Sequence, residues 1–172
     1  VAEIQLTRCT LRPWRADDLD ELVAQANNRR VWRNLRDRFP HPYTRQDARG
    51  WLALAASQSP QVNFCIAVGD RPAGGIGLER RGDVDCRTAE IGYWLGEAYW
   101  RHGIGSEAVR AFADWALATF TDVARLEAGV FGWNPPSARV LEKAGFCCEA
   151  RHRNAVFKDG ELTDRLIYAR LR

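Results

Sequence analysis

Between residues 89 and 131 the chain carries an apolar run, a turn holding Gly103 and Gly105, an amphipathic stretch to about Thr119, and a second apolar run over Arg125–Phe131. That succession predicts strand, helix, strand. A helix joining two strands returns the chain to its starting edge, so the strands must be parallel with a right-handed crossover. The rest of the chain must fit around this unit. Residues 62–68 and 73–78 flank Gly69-Asp70-Arg71-Pro72 and read as a hairpin, as do residues 146–157 and 162–171 around Lys158-Asp159-Gly160-Glu161.

Earlier in the chain, Ile4, Leu6 and Leu11 alternate as in a strand over residues 4–14. Leu19, Leu22, Val23 and Ala26 have helical spacing, and residues 27–35 predict a further short helical piece. Phe39-Pro40-His41-Pro42-Tyr43 must be a loop, since each proline disfavours helix in the residue before it. Thr44 then caps a helix whose apolar face is Ala48, Trp51, Leu52 and Ala55. A short helix over residues 136–144 closes at Gly145. Trp32, Trp51 and Trp115, at helical spacing, are expected in the core. The predicted class is α/β: a mixed, mostly antiparallel twisted sheet with one parallel β-α-β crossover and helices on both faces, in a single domain spanning residues 1–172.

Composition narrows the class further. At 46% hydrophobic and 27% charged residues, the 172-residue chain has the balance of a soluble globular protein. A net charge of +3 gives no reason to expect a nucleic-acid partner. Only Lys143 and Lys158 are lysines among 25 basic residues, which leaves 23 arginines, a ratio that genomic base composition explains. The five cysteines have no metal-ligand spacing, and adjacent Cys147 and Cys148 on a strand point to opposite faces. Reduced thiols, a cytoplasmic location, no metal, no membrane span and no signal peptide are the expectations.

A glycine turn at a helix start binds phosphate by backbone alone. Glycine permits close approach, and the first helical N–H groups point outward at the positive end of the dipole. Gly103-x-Gly105-x-x-Ala108, with Glu127 downstream, fits a relaxed dinucleotide fingerprint. Residues 96–102 nevertheless intervene between strand and glycine, Glu127 lies inside its strand, and only one β-α-β unit is present.

A second reading covers nearly the whole chain. Ala89-Glu90-Ile91-Gly92-Tyr93-Trp94-Leu95, the turn Tyr99-Trp100-Arg101-His102-Gly103-Ile104-Gly105, Asn134-Pro135-Pro136-Ser137 and Leu141-Glu142-Lys143-Ala144-Gly145-Phe146 occur in that order. Together they resemble the GNAT superfamily of acyl-CoA-dependent N-acyltransferases, in its branch like the bacterial ribosomal-protein N-terminal acetyltransferases RimJ and RimL. Thr10-Leu11-Arg12-Pro13-Trp14 with Asp17-Asp18 resembles that branch's amino-terminal signature, and Lys158-Asp159-Gly160 with Asp164 its carboxyl end. Trp100 departs from the superfamily's Q/R-x-x-G-x-G/A pattern.

The resemblance implies acetyl-CoA as co-substrate and an amine acceptor, either a peptide N-terminus or a small molecule. It places the pyrophosphate on Gly103, Ile104, Gly105 and Ser106, with Arg101 and His102 as exposed donors beside it. Backbone groups of Tyr93 and Leu95 would hold pantetheine and polarise the thioester carbonyl, an oxyanion-hole role. Asn134 would bond the pantetheine arm, or serve only as a turn or cap residue. Ser137 would protonate the departing thiolate, or only start a helix. Where the branch places a glutamate base, this chain has Val156. Glu90 is the leading substitute, either a base or a paired strand carboxylate; Glu149, Asp164 and water are the others. Asn34, Arg36 and Tyr43 are expected to line the acceptor site. A CoA-binding sensor without catalysis and a dinucleotide-binding oxidoreductase are the alternative functions; oligomeric state is not readable.

Overall fold

The computed structural model describes residues 3–172. The chain forms two compact units: one runs to Gly77 and includes Tyr93–Ala108, the other comprises Leu78–Gly92 and Val109–Arg172. The strands β4 (Arg71–Arg80) and β5 (Thr88–Leu95) and the helix α4 (Ile104–Thr119) each have residues in both.

In the first unit β1 (Ile4–Gln5), β2 (Thr10–Pro13), β3 (Asn63–Val68) and the start of β4 pair in sequence order, all antiparallel. The strand expected over residues 4–14 is therefore two short strands. Its backbone donors are diverted: Leu6 donates to the Cys9 carbonyl, and the Thr7 and Arg8 N–H groups donate to the Glu107 carboxylate. The helices α1 (Leu19–Ala26), α2 (Arg29–Trp32) and α3 (Arg45–Ser57) follow the predicted pattern. Thr44 caps α3 as read, and Asp47 returns a bond to the Thr44 N–H in a reciprocal capping box.

Leu22, Ala26, Ala48 and Ala55 form the buried cluster with Trp14 and Cys65. Beneath it Arg12 is held bidentate by Asp18, both nitrogens at 2.8 Å, with both side chains almost wholly buried. Removing one member of such a pair strands the other and costs about 3–5 kcal/mol. Close approach of β4 to Trp94 depends on missing side chains: a Cβ on Gly74 would lie 2.1 Å from the Trp94 carbonyl oxygen. One on Gly75 would meet the Trp94 indole nitrogen at 2.9 Å. The tryptophans expected in the core reach it in part: Trp51 packs against this buried cluster. Trp32 and Trp51 are half-buried, and the buried tryptophan of this unit is Trp14.

In the second unit the strand order is β5, β6 (Arg125–Phe131), β8 (Glu161–Leu171), β7 (Cys147–Lys158). β5 and β6 are parallel, as the crossover requires; β6–β8 and β8–β7 are antiparallel. The parallel ladder pairs Thr88, Ala89 and Glu90 with Arg125, Leu126 and Glu127, and Ile91 and Gly92 do not continue it. β5 thus leaves its neighbour at mid-strand. Helix α4 buries Val109, Phe112, Ala113 and Ala116, while Trp115 is half-buried against Phe112 and Phe120. Helix α5 (Pro135–Lys143) closes on Gly145 at φ +88°, where the Phe146 N–H donates to the Leu141 carbonyl. Cys147 and Cys148 are both exposed, because β7 is the last strand in the order and neither of its faces is covered there.

Candidate active site

The glycine turn is built from its own backbone. A one-turn 3-10 helix over Glu97–Tyr99 follows β5, and Arg101 and Gly103 then adopt left-handed conformations at φ +64° and +77°. Gly103 is the residue before α4, and its carbonyl accepts the first helical bond from the Glu107 N–H at 3.2 Å. The N–H groups of Ile104, Gly105 and Ser106 precede that bond and have no partner within the helix. They mark the positive end of a 16-residue helix. Arg101, His102 and Gly103 are exposed, Ile104 and Gly105 are buried, and Ser106 is half-buried, so the turn meets solvent on its leading side.

Side chains fasten the turn to its unit. Glu107 accepts the Thr7 N–H at 3.2 Å and the Arg8 N–H at 2.8 Å, and its carboxylate lies 3.7 Å from the Arg8 guanidinium. Trp100, the departure from the superfamily pattern, donates its indole N–H to the Leu95 carbonyl at 2.9 Å. The Arg30 guanidinium lies 5.6 Å from the Trp100 ring centroid, and Arg30 and Asn28 both bond Glu97. Trp100 therefore closes the loop between strand end and glycine turn, a structural role rather than a donor to a ligand. Sequence reading missed Glu107, Glu97 and Arg8. An acidic residue in the first turn of a helix was the available signal for Glu107.

Tyr93 and Leu95 lie in the last three residues of β5. The Gly96 N–H donates to Ala73 in β4, and the Trp94 carbonyl lies against Gly74. Alternation then turns the peptide groups of Tyr93 and Leu95 away from β4. The Leu95 carbonyl already accepts the Trp100 indole N–H, which leaves the N–H donor expected from this segment unaffected.

The acceptor-lining expectation is also revised. Tyr43 is buried, its ring 5.1 Å from Phe39, which in turn packs edge-on to Trp94. Burial, with Asp47 nearby, pushes the Tyr43 phenol up to about 12. It is a wall of the core. Asn34 is half-buried and donates to the Arg30 carbonyl, and Arg36 is exposed.

The second unit carries the other candidates. Asn134 is the N-cap residue of α5, yet its side chain makes no capping bond. Pro135 and Pro136 occupy the first helical positions, and half-buried Ser137 follows with its N–H 3.2 Å from the Asn134 carbonyl. Glu90 lies opposite Glu127 at the end of the parallel ladder; Arg81 is 2.6 Å from Glu127 and 3.9 Å from Glu90. Arg125 binds Glu127 and Glu149 from the other side and holds the Glu149 carboxyl below its usual range. Asp164 is lowered by the Asn154 N–H and by Arg151, and Gly132 donates its N–H to the Asp164 carbonyl. Val156 is buried within β7. Among the described residues no group of three or more His, Cys, Asp or Glu is placed to hold a metal ion, and no helix is long and apolar enough to cross a membrane.

Comparison with known proteins identifies the family. The family model described as Acetyltransferase (GNAT) domain matches residues 8–147. The chain is 40% identical over 116 residues to the probable N-acetyltransferase YjcK of Bacillus subtilis (strain 168), covering 67% of this chain and 64% of that protein. It is 32% identical over 113 residues to the ribosomal-protein-serine acetyltransferase of Escherichia coli (strain K12), covering 63% and 59%. The aligned part thus spans a little under two thirds of these curated relatives. In fold it matches RimL, the ribosomal L7/L12 alpha-N-protein acetyltransferase solved with coenzyme A, at a TM-score of 0.83 and 20% identity over 99% of this chain and 98% of that one. The chain belongs to the GNAT acetyltransferase domain family.

Proposed function

We propose that the chain is an acetyl-CoA-dependent N-acetyltransferase acting on a primary amine, either a peptide N-terminus or a small molecule. The observation that carries this is the start of α4, where Gly103 at φ +77° leads into three N–H groups at residues 104–106 that precede the first helical bond. That arrangement fits a pyrophosphate, and the family to which the chain belongs supplies the donor that bears one. The family match runs through both compact units, which supports reading them as one catalytic domain.

In the reaction the neutral amine attacks the thioester carbonyl carbon and a tetrahedral oxyanion forms. An N–H of the Tyr93–Leu95 segment would stabilise that oxygen; losing one such donor typically costs ~3–4 kcal/mol of transition-state stabilisation. The carbon–sulfur bond then breaks and the thiolate takes a proton from the Ser137 hydroxyl, which regains one from the water that took up the amine proton. Asn134, whose amide is not spent on capping, would orient the pantetheine arm. We assign removal of the amine proton to water rather than to Glu90, which already answers Arg81 at the end of the parallel ladder. Substrate positioning alone supplies much of the rate in such a reaction.

Thermal melts with and without acetyl-CoA test the donor. At 100 times its dissociation constant the ligand should add ~2.7 kcal/mol of stability. An unchanged melting temperature at millimolar acetyl-CoA would sink the assignment. Buried Val156, where the branch has a glutamate, favours a second reading, a CoA-binding adaptor without catalysis. Thiol release across a panel of peptide and small amines separates the two.

A further inference from the structure

We propose that Arg8 is a ligand of the acetyl-CoA pyrophosphate, adding a cation from outside the glycine turn. The inference rests on the acetyl-CoA reading above. Peptide N–H groups carry only partial charge, whereas a pyrophosphate brings full negative charges to the seat. Arg101 and His102 were the donors expected from sequence, and they are neighbours of the turn in the chain. Arg8 comes from the β1–β2 turn, far away in sequence.

Three observations point to it. The Arg8 side chain lies across Gly103, with its Nε 3.1 Å and its Cζ 3.7 Å from where a Cβ on that glycine would stand. It is thus laid along the first turn of α4, on the residue whose missing side chain makes the turn possible. Its main chain is pinned there, because the Arg8 N–H donates to Glu107 at 2.8 Å. Its guanidinium, in contrast, is under-used. Among the described residues it makes only a loose ion pair, 3.7 Å from a Glu107 oxygen that already accepts the Thr7 N–H, and its side chain is 54% exposed.

Other arginines of the same unit are committed. Arg12 is held by Asp18, Arg15 by Asp70 and Glu3, Arg30 by Glu97, and Arg71 by Glu21, each through a hydrogen bond. Arg8 differs in keeping its fork of donors unspent beside a helix start. A guanidinium fork matches two phosphate oxygens at once, which makes arginine the residue suited to this position.

Titration calorimetry on wild type, Arg8→Gln and Arg8→Lys, with CoA and with 3′-dephospho-CoA, tests the assignment. Arg8→Gln should weaken both ligands by about tenfold or more, by the same factor, and flatten the dependence of affinity on salt. Arg8→Lys, which keeps the charge and the main-chain bond, should lose less. Affinity within twofold of wild type for Arg8→Gln would overturn the proposal. So would a loss confined to CoA, which would move the contact to the 3′-phosphate. Equal weakening by both substitutions, with a lower melting temperature of the ligand-free protein, would make Arg8 a structural residue and also overturn it. Failure of the wild type to bind either ligand would instead overturn the acetyl-CoA reading itself.

Discussion

The starts of α4 and α5 face the same problem, a first turn of backbone donors without partners, and resolve it in opposite ways. At α4 the donors stay: Gly103 brings no side chain to cap them, and the N–H groups of residues 104–106 have no partner within the helix. At α5 the donors are removed. Pro135 and Pro136 have no N–H, and the Ser137 N–H turns back to the Asn134 carbonyl. One start is therefore suited to an anion, and the other is left to act through side chains. Their supports differ as well. The α4 start is tied down by Glu107 and Trp100, while the side chain of Asn134 caps nothing.

Three substitutions put this contrast at risk, beginning with the largest expected effect. Glu107→Ala deletes the acceptor of the Thr7 and Arg8 N–H groups, and hydrogen bonds to a charged group are each worth about 1.5–3 kcal/mol. A denaturant midpoint should fall by several kcal/mol-equivalents on that scale, together with CoA affinity; loss of neither would mean the turn stands without its clamp. Ser137→Ala should lower kcat by about 100-fold at unchanged acetyl-CoA affinity, the mark of a general acid. Equal loss in kcat and affinity would demote Ser137 to a packing residue. The smallest effect belongs to Asn134→Ala. Deleting a capping asparagine usually costs ~1 kcal/mol, but with no cap bond to lose, stability should stay within about 0.5 kcal/mol of wild type while KM for acetyl-CoA rises. A full capping loss in the melt would show that the side chain caps α5 in solution.

The parts legible in the sequence are those governed by local rules. Gly103 before an amphipathic run, Thr44 with Asp47 three residues on, and a strand-helix-strand succession each state their geometry within a short window. What escaped depends on partners distant in the chain. Nothing local says that Glu107 will take the donors of Thr7 and Arg8 and so divide the first strand in two. Tyr43 follows two prolines and was expected to line the acceptor site; the Asn27 side chain accepts its N–H at 3.0 Å and its ring enters the core. Nor does the Trp100 indole announce that it will bond the Leu95 carbonyl five residues earlier. For Glu90, the sequence shows a carboxylate in a strand but not the guanidinium of Arg81 that faces it.

Trp100 has one more consequence, in spectroscopy. Its indole is hydrogen-bonded at the end of β5, overlaid by a guanidinium, and three residues from the helix-start glycine. Emission from an indole follows the polarity and charge around it, so movement of the turn is written into the protein's intrinsic fluorescence. Trp100→Phe, compared with the parent chain, isolates that signal from the six other tryptophans. The residue that broke the family pattern gives the chain a built-in optical reporter of the turn it closes.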